Sequence, residues 1–117
     1  MATNLTAGSI AFTGFNADGN DNLAFVLLED IAAGTVINFT DNAYVSGKFV
    51  LGESAWSWTA TDDIEAGTVV TMDNLAAGLT STSNLGTIAW TDETARGLDT
   101  GAEVVYAYTG DATAPTF

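Results

Sequence analysis

Ile31-Ala32-Ala33-Gly34-Thr35-Val36-Ile37 and its echo Ile64-Glu65-Ala66-Gly67-Thr68-Val69-Val70 decide the fold class of this chain. Each opens on an apolar residue, passes a turn whose glycine takes φ > 0 without a Cβ penalty, and enters a β-branched run. Weaker echoes are Leu5-Thr6-Ala7-Gly8-Ser9-Ile10 and Leu98-Asp99-Thr100-Gly101-Ala102-Glu103-Val104. The apolar residue ahead of each turn is expected to tuck back under a sheet edge. Duplication and convergent turn chemistry both account for the echoes, and in either case several strands begin alike.

Outward from these starts the same signal recurs: short β-branched and aromatic runs bounded by Gly, Asp and Asn. The pattern predicts strands near Ser9–Phe15, Leu23–Leu28, Thr35–Thr40, Ala55–Thr59, Thr68–Met72, Thr87–Thr91 and Glu103–Tyr108, with a short edge strand at Lys48–Leu51. Alternation puts Trp56 and Trp58 on one face, and Val104, Tyr106 and Tyr108 on one face. Leu23–Leu28 is apolar on both faces, as in a central strand covered twice. No stretch repeats apolar residues at helical spacing over three turns. The expectation is an all-β fold, an antiparallel β-sandwich or jelly-roll of about seven to nine strands. Its core should hold Phe25, Leu27, Ile37, Phe39, Trp56, Trp58, Val70, Ile88, Trp90, Val104 and Tyr106.

Length and composition fit that reading. The 117 residues suit a single domain, residues 1–117, and 47% are hydrophobic, enough for a real core. The final Pro115-Thr116-Phe117 looks like the start of another strand, so a fragment, or a subunit completed by a neighbour, is also expected. Fifteen Asp and Glu face two cations, Lys48 and Arg96, for a formal net charge of -13. Nucleic acid is thereby excluded as a natural partner, since binding it takes Lys and Arg against phosphate. An anionic membrane surface is disfavoured likewise, and no apolar run is long enough for membrane insertion as a helix. The surplus acid has three readings: calcium ligation, a hydration shell in high salt, or solubility by repulsion.

With no His and no Cys, the chain lacks the usual neutral-pH base, the thiol nucleophile and the commonest transition-metal ligands. Gly-x-Ser-x-Gly elbows and phosphate-binding glycine loops are absent as well. The expectation is that the chain is not an enzyme. The strongest local constellation is Asn16-Ala17-Asp18-Gly19-Asn20-Asp21-Asn22, with oxygen-bearing side chains at alternate positions around a glycine bend. Calcium wants six to eight oxygens at about 2.3–2.6 Å, which Asn16, Asp18, Asn20 and Asp21 begin to supply. A tight turn chosen for its conformation alone is the other reading. Asp41-Asn42 and Asp73-Asn74 end two of the repeated strands, and Asp111 follows the last. If those strands run the same way, Asp41 and Asp73 join the candidate calcium ligands at one end of the sandwich. Glu29, Asp30, Asp62, Asp63, Glu65 and Asp99 then collect at the other. Trp56 and Trp58 would stack on sugar rings only if they faced solvent.

The run Ile10-Ala11-Phe12-Thr13-Gly14-Phe15-Asn16-Ala17-Asp18-Gly19-Asn20-Asp21, continuing through Phe25–Leu28 and Ile31–Asn42, resembles a β-rich domain near the N-terminus of large secreted proteins of cyanobacteria and proteobacteria. Such proteins often carry haemolysin-type calcium-binding repeats further along. The closing Gly101–Tyr108 segment is similar in style to lamin-tail-like β-sandwich domains. The resemblance implies an extracellular or cell-surface location and export through a C-terminal signal. The nonapeptide calcium repeats themselves are absent from this chain. The expected function is a structural or adhesive module of the bacterial surface or extracellular matrix, calcium-stabilised and self-assembling by strand addition. Its partners would be other copies of itself or other surface proteins. The alternative is a carbohydrate-binding module using exposed aromatics.

Overall fold

The computed structural model describes Leu5 and residues 8–16, 21–50, 54–75, 80–92, 105–111 and 114–116. All regular structure among them is strand, as the sequence predicts. In chain order the strands are β1 (Ile10–Asn16), β2 (Asn22–Leu27), β3 (Val36–Thr40), β4 (Ala43–Val45), β5 (Lys48–Val50), β6 (Ala55–Thr59), β7 (Val69–Asp73), β8 (Thr82–Ser83), β9 (Thr87–Asp92), β10 (Tyr106–Asp111) and β11 (Ala114–Thr116). Most expected strands fall within a residue of these bounds. The last one begins at Tyr106 rather than Glu103, residues 101–104 lying outside the described part. The short β4, β8 and β11 take the number past the expected seven to nine.

Two antiparallel sheets form the sandwich, ordered β1-β2-β7-β8 and β11-β10-β3-β6-β9, with β4 and β5 as a separate hairpin. Alternate residues point inward, so the central strands β2, β3, β6 and β7 bury at least every second side chain. Leu23, Phe25 and Leu27 of β2 and Val70 and Met72 of β7 meet Ile37 and Phe39 of β3 and Trp56 and Trp58 of β6 in one cluster. Phe25 sets its ring edge-on to Trp58 at 5.4 Å, and the Trp56 indole N–H points at the Met72 sulfur at 3.4 Å. Burying side chains of this size stabilises by roughly 1.5–3 kcal/mol each. Ile88 and Trp90 of β9 are only half-buried against this core, and Val104 lies outside the described residues.

The register exposes a pseudo-two-fold symmetry. In the first sheet Phe25 pairs with Val70 and Leu23 with Met72. In the second Trp58 pairs with Ile37 and Trp56 with Phe39. A shift of 33 residues, the step from Ile31 to Ile64, carries each of these pairs onto its counterpart. In the sheet orders β1 and β9 hold matching flanking places, as do β8 and β10, although the 33-residue step does not relate them in sequence. Each half therefore gives one strand to each sheet: β2 and β3 from the first, β6 and β7 from the second. The crossovers meet at the axis, where Ile31 and Ile64 exchange both backbone hydrogen bonds at 2.9 Å. These apolar residues are buried, as expected of residues tucked beneath the sheet ends. Gly34 and Gly67 sit at φ 88° and 90°, the left-handed geometry that lets the chain turn from crossover into strand. Gly8 repeats it at 89°, so the weaker echo ahead of β1 is structural too.

Two expectations change in three dimensions. Tyr106 pairs with Thr40 and Tyr108 with Asn38, while Ala107 pairs with the core residue Phe39. Both tyrosines thus lie on the outer face of their sheet, and Tyr106 is no part of the main core. The β4–β5 hairpin folds over them: Phe49 lies 5.2 Å from Tyr106 and 4.9 Å from Tyr108, ring centre to ring centre. Phe49 and Tyr108 are buried in this second, smaller aromatic cluster. The second change concerns β2, which is fully buried on one face only. Ala24 and Val26 on its other face are half-buried, and Leu28 beyond it is 54% exposed.

Candidate functional site

The two ends of the sandwich carry its acid chemistry. At the crossover end the chain leaves β2 through Glu29 and Asp30 and leaves β6 through Asp62 and Asp63, with Glu65 ahead of β7. The sequence places these five together, and the fold does so; Asp99 lies outside the described residues. Asp30 accepts a hydrogen bond from the Ala66 backbone N–H at 2.8 Å, and Asp63 accepts one from the Ala33 N–H at 2.9 Å. These bonds are mates under the pseudo-two-fold: each half's acid caps the other half's turn. With the Ile31–Ile64 bridge between them they form a clasp across the two sheets. Glu29 is engaged too, accepting from the Ser9 hydroxyl at 2.9 Å.

Two shallow depressions flank Ile64 at this end. One is floored by Ile31, Ala32 and Ile64 and rimmed by Asp30, Asp63 and Glu65. The other runs between Thr61–Glu65 and the Leu85-Gly86 turn. Both are open, with acidic rims and small apolar floors.

The opposite end receives the predicted calcium ligands in part. Asp21 and Asp73 come together there, because β2 starts and β7 ends at that end and Leu23 pairs with Met72. Asp21 is buried, holds φ 59°, and its carbonyl accepts the Leu75 N–H at 3.0 Å. Asp73 is half-buried at the end of β7, opposite Thr82. Asp41 reaches the same end from the other sheet, but in a different role. Its buried carboxylate accepts both the Ser54 N–H at 2.8 Å and the Ser54 hydroxyl at 2.7 Å, tying the end of β3 to the start of β6. Asn16 closes β1, and Asp18 and Asn20 lie outside the described residues. Asp111 does not join this end: β10 runs antiparallel to β3 and carries it the other way. Among the described residues no three or more Asp or Glu converge as a metal-holding group.

The tryptophans are interior. Trp56 and Trp58 are 1% and 0% exposed, and the Trp58 N–H is held by the Leu85 carbonyl at 2.7 Å. Neither offers a face to a sugar ring. Exposed aromatic rings among the described residues are Phe12, 45% exposed and packed on Phe39, and Tyr44, 40% exposed on the hairpin; Tyr44 and Phe49 flank the Ser46-Gly47 turn, a pattern from which the hairpin was readable. Comparison of the chain with protein-family models, curated proteins and solved structures finds no match.

Proposed function

We propose that this chain is a structural, adhesive module of a cell surface or extracellular matrix, assembling through its sheet edges and carrying out no catalysis. The observation that carries this reading is the distribution of charge. The described acids cluster at the sandwich ends, several bound to backbone N–H groups or hydroxyls, while the long outer strands β1 and β9 carry no charge from Ile10 to Asn16 and from Thr87 to Thr91. An outer strand without charge lacks one of the guards that sheets use against strand addition. The extracellular setting rests on the resemblance to secreted β-rich domains. Calcium is the proposed ligand of Asp18, Asn20 and Asp21 in the segment ahead of β2.

Light scattering coupled to size exclusion tests the reading at low salt, at high salt and with calcium. With a net charge of -13, copies repel at low salt, so assembly should strengthen as salt screens them. A 12.1 kDa monomer in all three conditions at micromolar concentration overturns it.

A further inference from the structure

We infer that the outer face of the sheet formed by β1, β2 and β7 docks a basic partner protein, which lays an apolar strip along β2 and β7 and sets Lys or Arg against the acids beyond. This contact is distinct from assembly through the sheet edges.

The register builds the face. Ala11, Val26 and Val69 pair in one row across the three strands, and Gly14, Ala24 and Thr71 in the next. Directly paired side chains stand about 4.5–5.5 Å apart on the same side of the sheet. Leu28 continues the alternation past Val26, its N–H still bonded to the Ser9 carbonyl at 2.8 Å. None of these residues is charged. Leu28 is 54% and Val69 43% exposed, Ala11 is exposed, and Val26 is half-buried. The outer face of the other sheet differs, because Phe49 of the β4–β5 hairpin packs over Tyr106 and Tyr108 there. Among the described residues no such cover lies over Leu28 and Val69.

Charge decides the occupant. The apolar rows run into the crossover end, where Leu28 leads directly to Glu29 and Asp30, and Glu65 stands ahead of Val69. The bond from the Ala66 N–H to Asp30 keeps that carboxylate beside the turn that carries Glu65. Whatever covers Leu28 and Val69 therefore brings its flanking residues against carboxylates. A second copy would bring the same acids and a net charge of -13, with only Lys48 and Arg96 as cations. An anionic membrane is repelled for the same reason. A protein surface with an apolar strip bordered by Lys or Arg satisfies both halves of the site. Burial of the strip supplies the driving force, and the charges supply selectivity and on-rate.

The test uses the full chain and a fluorescein-labelled peptide of alternating leucine and lysine, with oligolysine of equal charge as the reference. By anisotropy the leucine–lysine peptide should bind more tightly than oligolysine and weaken as salt rises, the opposite of the salt dependence expected of self-assembly. Leu28→Ser combined with Val69→Thr should weaken the leucine–lysine peptide roughly tenfold, through the lost apolar contact, and leave oligolysine binding unchanged. Val36 is the pseudo-symmetry mate of Val69, 42% exposed on the other sheet, so Val36→Thr should change neither. Near-ultraviolet circular dichroism of the buried tryptophans checks that each variant is folded. A leucine–lysine peptide bound no more tightly than oligolysine, or weakened equally by Val36→Thr, overturns the inference. So does a wild-type dimer that the Leu28→Ser, Val69→Thr variant loses, which would put a second copy on this face. A wild-type monomer at every salt concentration removes strand addition and leaves the docking face standing.

Discussion

Gly86 is where one methyl group should do most damage. It sits at φ 77° in the turn between β8 and β9. A Cβ built there falls 2.5 Å from the Trp58 indole nitrogen, 2.7 Å from its Cε2 and 2.6 Å from the Thr59 carbonyl oxygen. Neither obstacle can yield easily, since the Trp58 ring is fully buried and the carbonyl belongs to β6. Left-handed geometry costs an alanine about 1–2 kcal/mol, and overpacking about 1–3 kcal/mol. Displacing the ring also strains the bond from the Trp58 N–H to the Leu85 carbonyl, a loss of roughly 1 kcal/mol. Gly86→Ala should therefore destabilise by about 3–6 kcal/mol, a large share of the ~5–15 kcal/mol a domain has. Gly34→Ala and Gly67→Ala are the internal references. Their φ angles are as positive, but nothing lies within 4 Å of the added carbon, so only the conformational cost of about 1–2 kcal/mol applies. Urea unfolding followed by tryptophan fluorescence gives all three from midpoint shifts at constant slope. If Gly86→Ala costs no more than Gly67→Ala, the packing of the turn on Trp58 is wrong.

Other expectations follow from the two ends. Asp41→Ala should cost about 3 kcal/mol in urea, because two bonds to a buried carboxylate are lost and the buried Ser54 N–H is stranded; a loss under ~1 kcal/mol would remove Asp41 as the tie between β3 and β6. Asp30→Ala and Asp63→Ala should each cost about 1 kcal/mol, and together less than their sum, because both brace the same Ile31–Ile64 bridge; an additive double-mutant cycle would refute a single clasp. Ser46 and Gly47 hold φ 53° and 84°, a turn that suits Asn-Gly better than Ser-Gly, so Ser46→Asn should raise stability by roughly 0.5 kcal/mol, and a decrease on thermal unfolding would count against that turn. Calcium should raise the melting temperature more than sodium at equal ionic strength, and Asp18→Asn with Asp21→Asn should abolish the difference; equal shifts leave charge screening as the whole effect.

Strand positions were legible in the sequence because a half-buried strand must alternate, and Trp56-Ser57-Trp58 or Val70-Thr71-Met72 permit one assignment of faces. Sheet partners were not. Alternation puts Tyr106 and Tyr108 on a common face, but only the register with β3 says which, and that register sends them outward beneath Phe49. The repeat around Gly34 and Gly67 was visible, yet Asp30 and Asp63 stand just before it, so the reciprocal capping had no local signal. Asp41 looked like a cation ligand because strand-ending acids often are, whereas its oxygen serves Ser54, thirteen residues away. The acids gathered at the crossover end were anticipated on the premise that equivalent strands of the repeat run the same way, and β2 and β6, one in each sheet, do end there.

A chain of net charge -13 with two cations cannot neutralise its acids by ion pairs, so its stability depends on where they stand. The described acids stand at the sheet ends, and several serve as acceptors for N–H groups of the crossovers and strand ends. Capping of this kind satisfies backbone donors that would otherwise cost about 1–3 kcal/mol each when buried. It also concentrates repulsion at the poles, where copies would meet end to end. The two strands that hold matching flanking places differ in detail: β1 is bulged in mid-strand at Thr13, and β9 only near its end at Thr91.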